Sequence, residues 1–254
     1  QASDWSSDVC SSDLFGNLLQ GVPFYINNEL QVFYTGSFLQ LLNPFALVAG
    51  ILSVTMIITH GANYLMIRTE GEVHLRAKKI ACISPIVVII LFAICGYFIS
   101  KMNGFVTTDV NPHGPSNPLL KTVMITQGAW LNNYTKYPLT LLCPIIAFLG
   151  AICSMLFAKK SRSVLAFISS AFMMVGVTFT VGAAMFPFLM PSSSNPQSSL
   201  TLWDSTSSFH TLNIMFVVAI IFTPIILFYT SIAYKIMSGK LTDAYIKENQ
   251  NSLY

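Results

Sequence analysis

The stretch from residue 41 to residue 63, LLNPFALVAGILSVTMIITHGAN, decides the fold class because it contains no Lys, Arg, Asp or Glu. A helix that spans a bilayer needs roughly 20 consecutive, mostly apolar residues. Four later runs of similar length are equally free of these charged residues, namely 80–100, 138–158, 163–189 and 212–234. The runs are continuous and lack the alternation of membrane-barrel strands. The sequence therefore predicts an all-α integral membrane protein with five transmembrane helices.

The overall composition agrees with a membrane protein. Only 9% of the 254 residues are charged, and 54% are hydrophobic, whereas a soluble domain carries about 25% charged residues. The net charge of +3 is too small to indicate a nucleic-acid partner. Single cysteines stand in the apolar runs without the close spacing of a metal or redox site, at Cys82, Cys95, Cys143 and Cys153. We expect them to pack in the interior.

The distribution of Lys and Arg predicts the orientation, since cytoplasmic loops are enriched in both residues. They collect in the link 68–79, in the turn 159–162 and in the tail from residue 235, whereas the loop 190–211 has none. The chain is thus expected to start on the outer side of a bacterial inner membrane and to end in the cytoplasm. The expected parts are an outer-side segment at 15–40, a five-helix region at 41–236 and a cytoplasmic tail at 237–254.

The first residues differ in composition from everything that follows. Residues 4–14, DWSSDVCSSDL, match residue for residue the translation of a common sequencing-library adapter. They have neither the basic start nor the apolar run of a secretory signal. We expect residues 1–14 to be a non-native leader, which would make Phe15 an internal residue of a longer protein. The alternative is a natural, Ser-rich acidic cap.

Ionisable side chains inside a membrane span mark functional sites, because burying them in lipid is costly. The five runs carry none at mid-depth; His60 lies near the expected cytoplasmic end of the first run. It is the candidate for an interfacial polar site, either as a ligand or proton relay or as a simple polar anchor. The pattern predicts no catalytic residue, no metal site and no redox centre in this chain.

The loop after the fourth run is the second candidate site. Pro187 and Pro191 are expected to end the fourth helix, since proline lacks the amide proton that a helix needs. Trp203 and Asp204 stand among hydroxyl residues, where the carboxylate can accept hydrogen bonds and fix the loop. This pattern predicts a structured outer loop with a binding or docking role. The candidates for capping the fifth helix are Ser207, Ser208 and Thr211.

Six segments also carry a resemblance: FGNLLQGVPF, YTGSFLQLLNPFALVAG, MIITHGANYLMIRTEGEVHLR, AMFPFLMPSSS, SLTLWDSTSS and TLNIMF. In this order they resemble subunit II of the bacterial cytochrome bd quinol oxidases. The resemblance implies a respiratory complex that oxidises quinol and reduces dioxygen to water. It implies that haems b and d lie in the partner subunit I, and that this chain carries no cofactor and stabilises that partner. The family's subunit II has about nine helices, four of them ahead of the part seen here.

The resemblance leaves open a bound quinone, contacts with lipid and a small accessory membrane subunit. A rival interpretation from the residues is a secondary transporter, with a substrate site at proline-interrupted helices around Pro85, Pro144 and Pro224. Prolines are tolerated in membrane helices for structural reasons, and no intramembrane charge accompanies them. The oxidase interpretation is therefore preferred, and substrate uptake into vesicles would distinguish the two.

Overall fold

The computed structural model describes residues 15–108 and 117–236, in which five helices are long and apolar enough to cross a membrane. This confirms the predicted fold class. The helices are α1 (Pro44–Arg68), α2 (Gly71–Lys101), α3 (Leu142–Lys159, preceded by a 3-10 turn at Pro138–Leu141), α4 (Ser163–Met185) and α5 (Phe209–Ile236). The leader 1–14 and the tail 237–254 lie outside the described residues.

The basic link between the first two spans is helical almost throughout, which differs from the expected boundaries. α1 continues past residue 63 to Arg68, and α2 begins at Gly71, well ahead of residue 80. Lys, Arg and Glu are good helix formers, so helices continue beyond the apolar stretch that detects them. Only Thr69 and Glu70 separate the two helices.

The loop after α4 begins and ends at different residues from those expected. α4 stops at Met185, short of residue 189, because the chain turns at Pro187. α5 begins at Phe209, ahead of residue 212. The Thr211 amide donates to Ser208 Oγ at 3.4 Å, so Ser208 is the capping residue among the three candidates.

Glycines set the close packing of α3 on α4. A Cβ atom on Gly150 would lie 2.6 Å from the Met173 amide nitrogen, and one on Gly176 would lie 2.5 Å from that of Ala147. Each helix therefore places a glycine where the other backbone approaches. Small residues allow such approaches in lipid, where helix association depends on packing.

α5 differs from the other four helices in its surroundings. None of its residues is buried, and its apolar side chains are exposed around the whole circumference. α1 to α4, in contrast, bury a common core that includes Leu52, Val88, Ala151 and Met173.

Short antiparallel sheets cover the end of the bundle where α1 and α3 begin and α2 and α4 end. They are β1 (Phe24–Ile26) with β2 (Val32–Tyr34), β3 (Asn103–Thr107) with β4 (Val123–Gln127), and β5 (Phe188–Met190) with β6 (Leu200–Thr201). We call this end the loop face. The opposite end carries the Lys and Arg residues of the α1–α2 and α3–α4 connections, and we call it the basic face.

Candidate functional site

One turn of α1 carries three polar side chains that each reach a different helix. Their hydrogen bonds are Thr59 Oγ1 with Ser84 Oγ on α2 (2.8 Å), His60 Nδ1 with Ser170 Oγ on α4 (2.9 Å), and Asn63 Nδ2 to Ser154 Oγ on α3 (2.9 Å). We call these six residues the polar belt. In lipid, where apolar burial does not distinguish one helix neighbour from another, such bonds fix which helices meet.

His60 is part of this belt and lies deeper in its helix than the sequence indicated. α1 continues to Arg68, so His60 lies about 12 Å along the axis from the helix end. Its ring stacks on Phe167 of α4, with the ring centroids 4.3 Å apart. His60 thus connects α1 to α4 through one hydrogen bond and one ring contact. A role as an interfacial site stays a prediction.

Asn63 is fully buried, yet only half of its amide group is satisfied. Its Nδ2 donates to Ser154, while its Oδ1 accepts no hydrogen bond among the described residues. A buried polar atom without a partner is costly. The stability of the helix packing at the belt therefore depends on the few hydrogen bonds that its side chains make.

Within residues 15–108 and 117–236, no group of three or more His, Cys, Asp or Glu side chains could hold a metal ion. The described cysteines, Cys82, Cys95, Cys143 and Cys153, form no disulfides.

An apolar cleft of about 550 Å³ opens between α1, α2, α3 and α4 in the half of the bundle near the loop face. Aromatic side chains that line it include Phe15, Phe45, Phe92 and Phe148. Its hydroxyl groups are bonded to backbone carbonyls within the protein, as when Tyr134 Oη donates to the Thr180 carbonyl at 2.7 Å. The cleft therefore suits an apolar molecule or chain.

Asp204 lies on the loop face in the predicted structured loop. Its Oδ2 atom accepts hydrogen bonds from the amide and hydroxyl of Thr201 and from Lys121 Nζ, which is 2.6 Å away. Burial alone would raise the pKa of this carboxyl, but the bonds from Lys121 and Thr201 outweigh it and lower the pKa. Burial also lowers the pKa of the Lys121 ammonium, and Asp204 opposes that shift.

Trp203 lies beside the ion pair and is half-buried. Its ring packs edge-on against Phe186 with the centroids 6.0 Å apart, which holds the loop against the end of α4. The neighbouring Gln197 side chain bonds both backbone groups of Val123, at 3.1 and 3.4 Å. The loop is thus ordered by contacts with the β3–β4 segment. Whether it also binds or docks a partner stays a prediction.

Lys121 is the residue of this site that sequence reasoning missed. Its side chain is 5% exposed. One signal for it was present, because Asp204 is the only charged residue between positions 190 and 211. A carboxylate that fixes a loop needs a cation from elsewhere, and the 101–137 loop offers three lysines.

Comparison with known proteins decides the family. The sequence model of the cytochrome bd terminal oxidase subunit II family matches residues 8–237, which includes all five helices. The chain belongs to this family. The resemblance drawn from the six sequence segments is thereby confirmed, and nothing in the comparison supports the transporter alternative.

Curated relatives in the subunit II family are similar over most of this chain. A probable cytochrome oxidase subunit 2 of Haemophilus influenzae is 44% identical over 241 residues, and the cytochrome bd-I ubiquinol oxidase subunit 2 of Escherichia coli K12 is 44% identical over 242. Each alignment covers 94% of this chain but 64% of the relative. The chain thus spans just under two thirds of the length of these relatives.

Proposed function

We propose that the protein is subunit II of a cytochrome bd-type quinol oxidase, which oxidises quinol and reduces dioxygen to water in aerobic respiration. The family match across all five helices carries the proposal. The name of the Escherichia coli relative, a ubiquinol oxidase subunit, supports a quinol as the electron donor.

Within this complex, we propose that the chain acts by packing against a haem-bearing subunit I, which holds haems b and d. The uncovered surface of α5 supports a role in assembly, because all of its apolar side chains are available for neighbours in the membrane. A small accessory membrane subunit and lipid are further candidates for contact. The chain itself contributes no catalytic residue in this proposal.

The orientation belongs to the proposal as well. The basic face carries Arg68, Lys78, Lys159 and Lys160, which supports a cytoplasmic position by the positive-inside rule. The loop face and the segment 15–40 then lie on the outer side of the inner membrane, and the tail 237–254 lies in the cytoplasm. Residues 1–14 are proposed to be the foreign leader.

The apolar cleft supports a place for a quinone. A quinone carries an isoprenoid tail that needs an apolar environment and no hydrogen bonds, and the cleft offers that environment in the half of the bundle near the loop face. We propose that the tail of a bound quinone occupies it.

The experiment is to tag the chain at its C-terminus at its own locus and to purify it in mild detergent. We expect a second membrane subunit that carries haem to co-purify, with quinol-dependent oxygen consumption in the eluate. Stoichiometric haem on this polypeptide alone would contradict the assigned role. Purification without any haem protein, together with substrate uptake in vesicles, would contradict the oxidase assignment itself.

A further inference from the structure

A second pocket, of about 300 Å³, lies on the loop face where α4 ends and the chain enters the Pro138 turn before α3. Its walls include Thr107 of β3, Lys136, Tyr137, Phe186 and Trp203. We call it the interfacial pocket. Its lining differs from that of the apolar cleft, because it contains both polar and apolar atoms.

The position of the pocket along the bundle places it at a membrane surface. Phe186 is the residue after the last residue of α4, and Tyr137 directly precedes the third span. Both residues are exposed, at 45% and 47% of their full areas, and Trp203 packs against Phe186. Exposed Tyr and Trp rings at helix ends are typical of the lipid headgroup level.

The pocket is also lined by a cation, Lys136. Lys136 ends the short helix Asn132–Lys136, and its ammonium lies 5.6 Å from the centre of the Tyr137 ring. Among the described residues, no Asp or Glu oxygen lies within 4.0 Å of it. Lys121, in contrast, is paired with Asp204 on the same face. Within the described part of the chain, the charge of Lys136 is therefore available to an anionic ligand.

From these observations, we propose that the interfacial pocket binds the phosphate-bearing headgroup of an anionic phospholipid. Lys136 supplies the opposite charge, and the rings of Tyr137, Phe186 and Trp203 contact the less polar part of the lipid. A free phosphate has the same charge but lacks the acyl chains that the exposed rings at this level would contact. The site does not depend on the oxidase assignment.

The test uses the full chain, or the complex in which it purifies, in phosphatidylcholine vesicles with increasing amounts of brominated phosphatidylglycerol. Bromine on the acyl chains quenches nearby Trp fluorescence, and Trp203 lines the pocket. We expect Lys136→Gln to weaken the phosphatidylglycerol-dependent quenching by about fivefold, the effect of one lysine charge near a membrane surface. Lys136→Arg retains the charge and should keep the binding.

The matched control is Lys101→Gln, which removes another exposed lysine at the loop face outside the pocket. It should bind phosphatidylglycerol like the unchanged protein. Equal quenching in Lys136→Gln and the unchanged protein would overturn the site. If excess inorganic phosphate alone displaces the lipid, the ligand of the pocket is a soluble anion and the lipid proposal is wrong.

Discussion

Lys121 Nζ lies 2.6 Å from Asp204 Oδ2, although 83 residues separate them in the chain. The pair joins the segment between β3 and β4 to the loop that leads into α5. Its side chains are 5% and 12% exposed. Because no residue of α5 is buried in this chain, the pair is one of the contacts that hold the start of α5 near the bundle.

Replacing Asp204 should therefore destabilise the loop face. Asp204→Asn leaves the buried ammonium of Lys121 without its opposite charge, which costs about 3 kcal/mol for a well-buried pair. We expect a clear fall in the thermal unfolding midpoint in detergent. Glu29→Gln, which changes an exposed carboxylate on the same face, is the control and should have no effect. Equal midpoints for the two variants would contradict the role of the pair.

The ion pair should also make the loop face sensitive to acid. The pKa of Asp204 is lowered in the fold, so its stabilising contribution is complete above the ordinary range of an aspartate, about pH 4. It is lost progressively as the pH falls from there through the lowered pKa. Trp fluorescence, to which Trp203 beside the pair contributes, should report this loss as an acid transition in the unchanged protein. Asp204→Asn should lack that transition, and its presence there would contradict the assignment.

The sequence predicted the five helices because the requirement for an apolar membrane span is local. Each run of about 20 residues without charge is by itself sufficient evidence for a transmembrane helix. The Lys121–Asp204 pair and the polar belt depend instead on side chains that are far apart in sequence, such as His60 and Ser170, 110 residues apart. A single sequence contains the residue types for such pairs but not their partners.

The predicted helix boundaries differ from those in the structure for a related reason. Hydropathy detects the part of a helix that lies in lipid, and the charged first turns of α2, which include Arg76 and Lys78, continue outside it. The apolar runs therefore gave the correct number of spans but ended α1 and started α2 at the wrong residues.

The close approach of α3 and α4 at their glycines predicts different effects for two Gly→Ala substitutions within α4. Gly176→Ala puts a methyl group 2.5 Å from the Ala147 nitrogen, so the two helices must move apart, at a cost of about 1–3 kcal/mol. Gly182→Ala in the same helix meets nothing within 4 Å and should be neutral or stabilising, since alanine favours helix. Thermal unfolding in detergent compares the two. A stable Gly176→Ala would show that the helices do not pack this closely.

The polar belt predicts a difference between two adjacent serines on α4. Ser170→Ala removes the hydrogen-bond partner of His60 Nδ1, which should cost about 0.6–1 kcal/mol in a membrane helix bundle. Ser169→Ala changes a half-buried hydroxyl with no hydrogen bond in the described chain and should cost less. Nitrogen NMR of the His60 ring would report the altered bond directly. Unchanged ring signals in Ser170→Ala would show that the bond does not form.

The apolar cleft gives the sharpest test of the proposed quinone. Gly96 lines the cleft, and a Cβ atom there meets nothing within 4 Å, so Gly96→Leu can fill the space without a backbone clash. If a quinone tail occupies the cleft, the purified complex should lose most of its bound quinone, as measured by extraction and chromatography. Gly61→Leu is the matched control, since its position is equally open but lies outside the cleft. Full quinone retention in a folded Gly96→Leu complex would place the quinone elsewhere. Loss of quinone in both variants would also contradict the site, because it would indicate a general effect of a bulky side chain on the bundle surface.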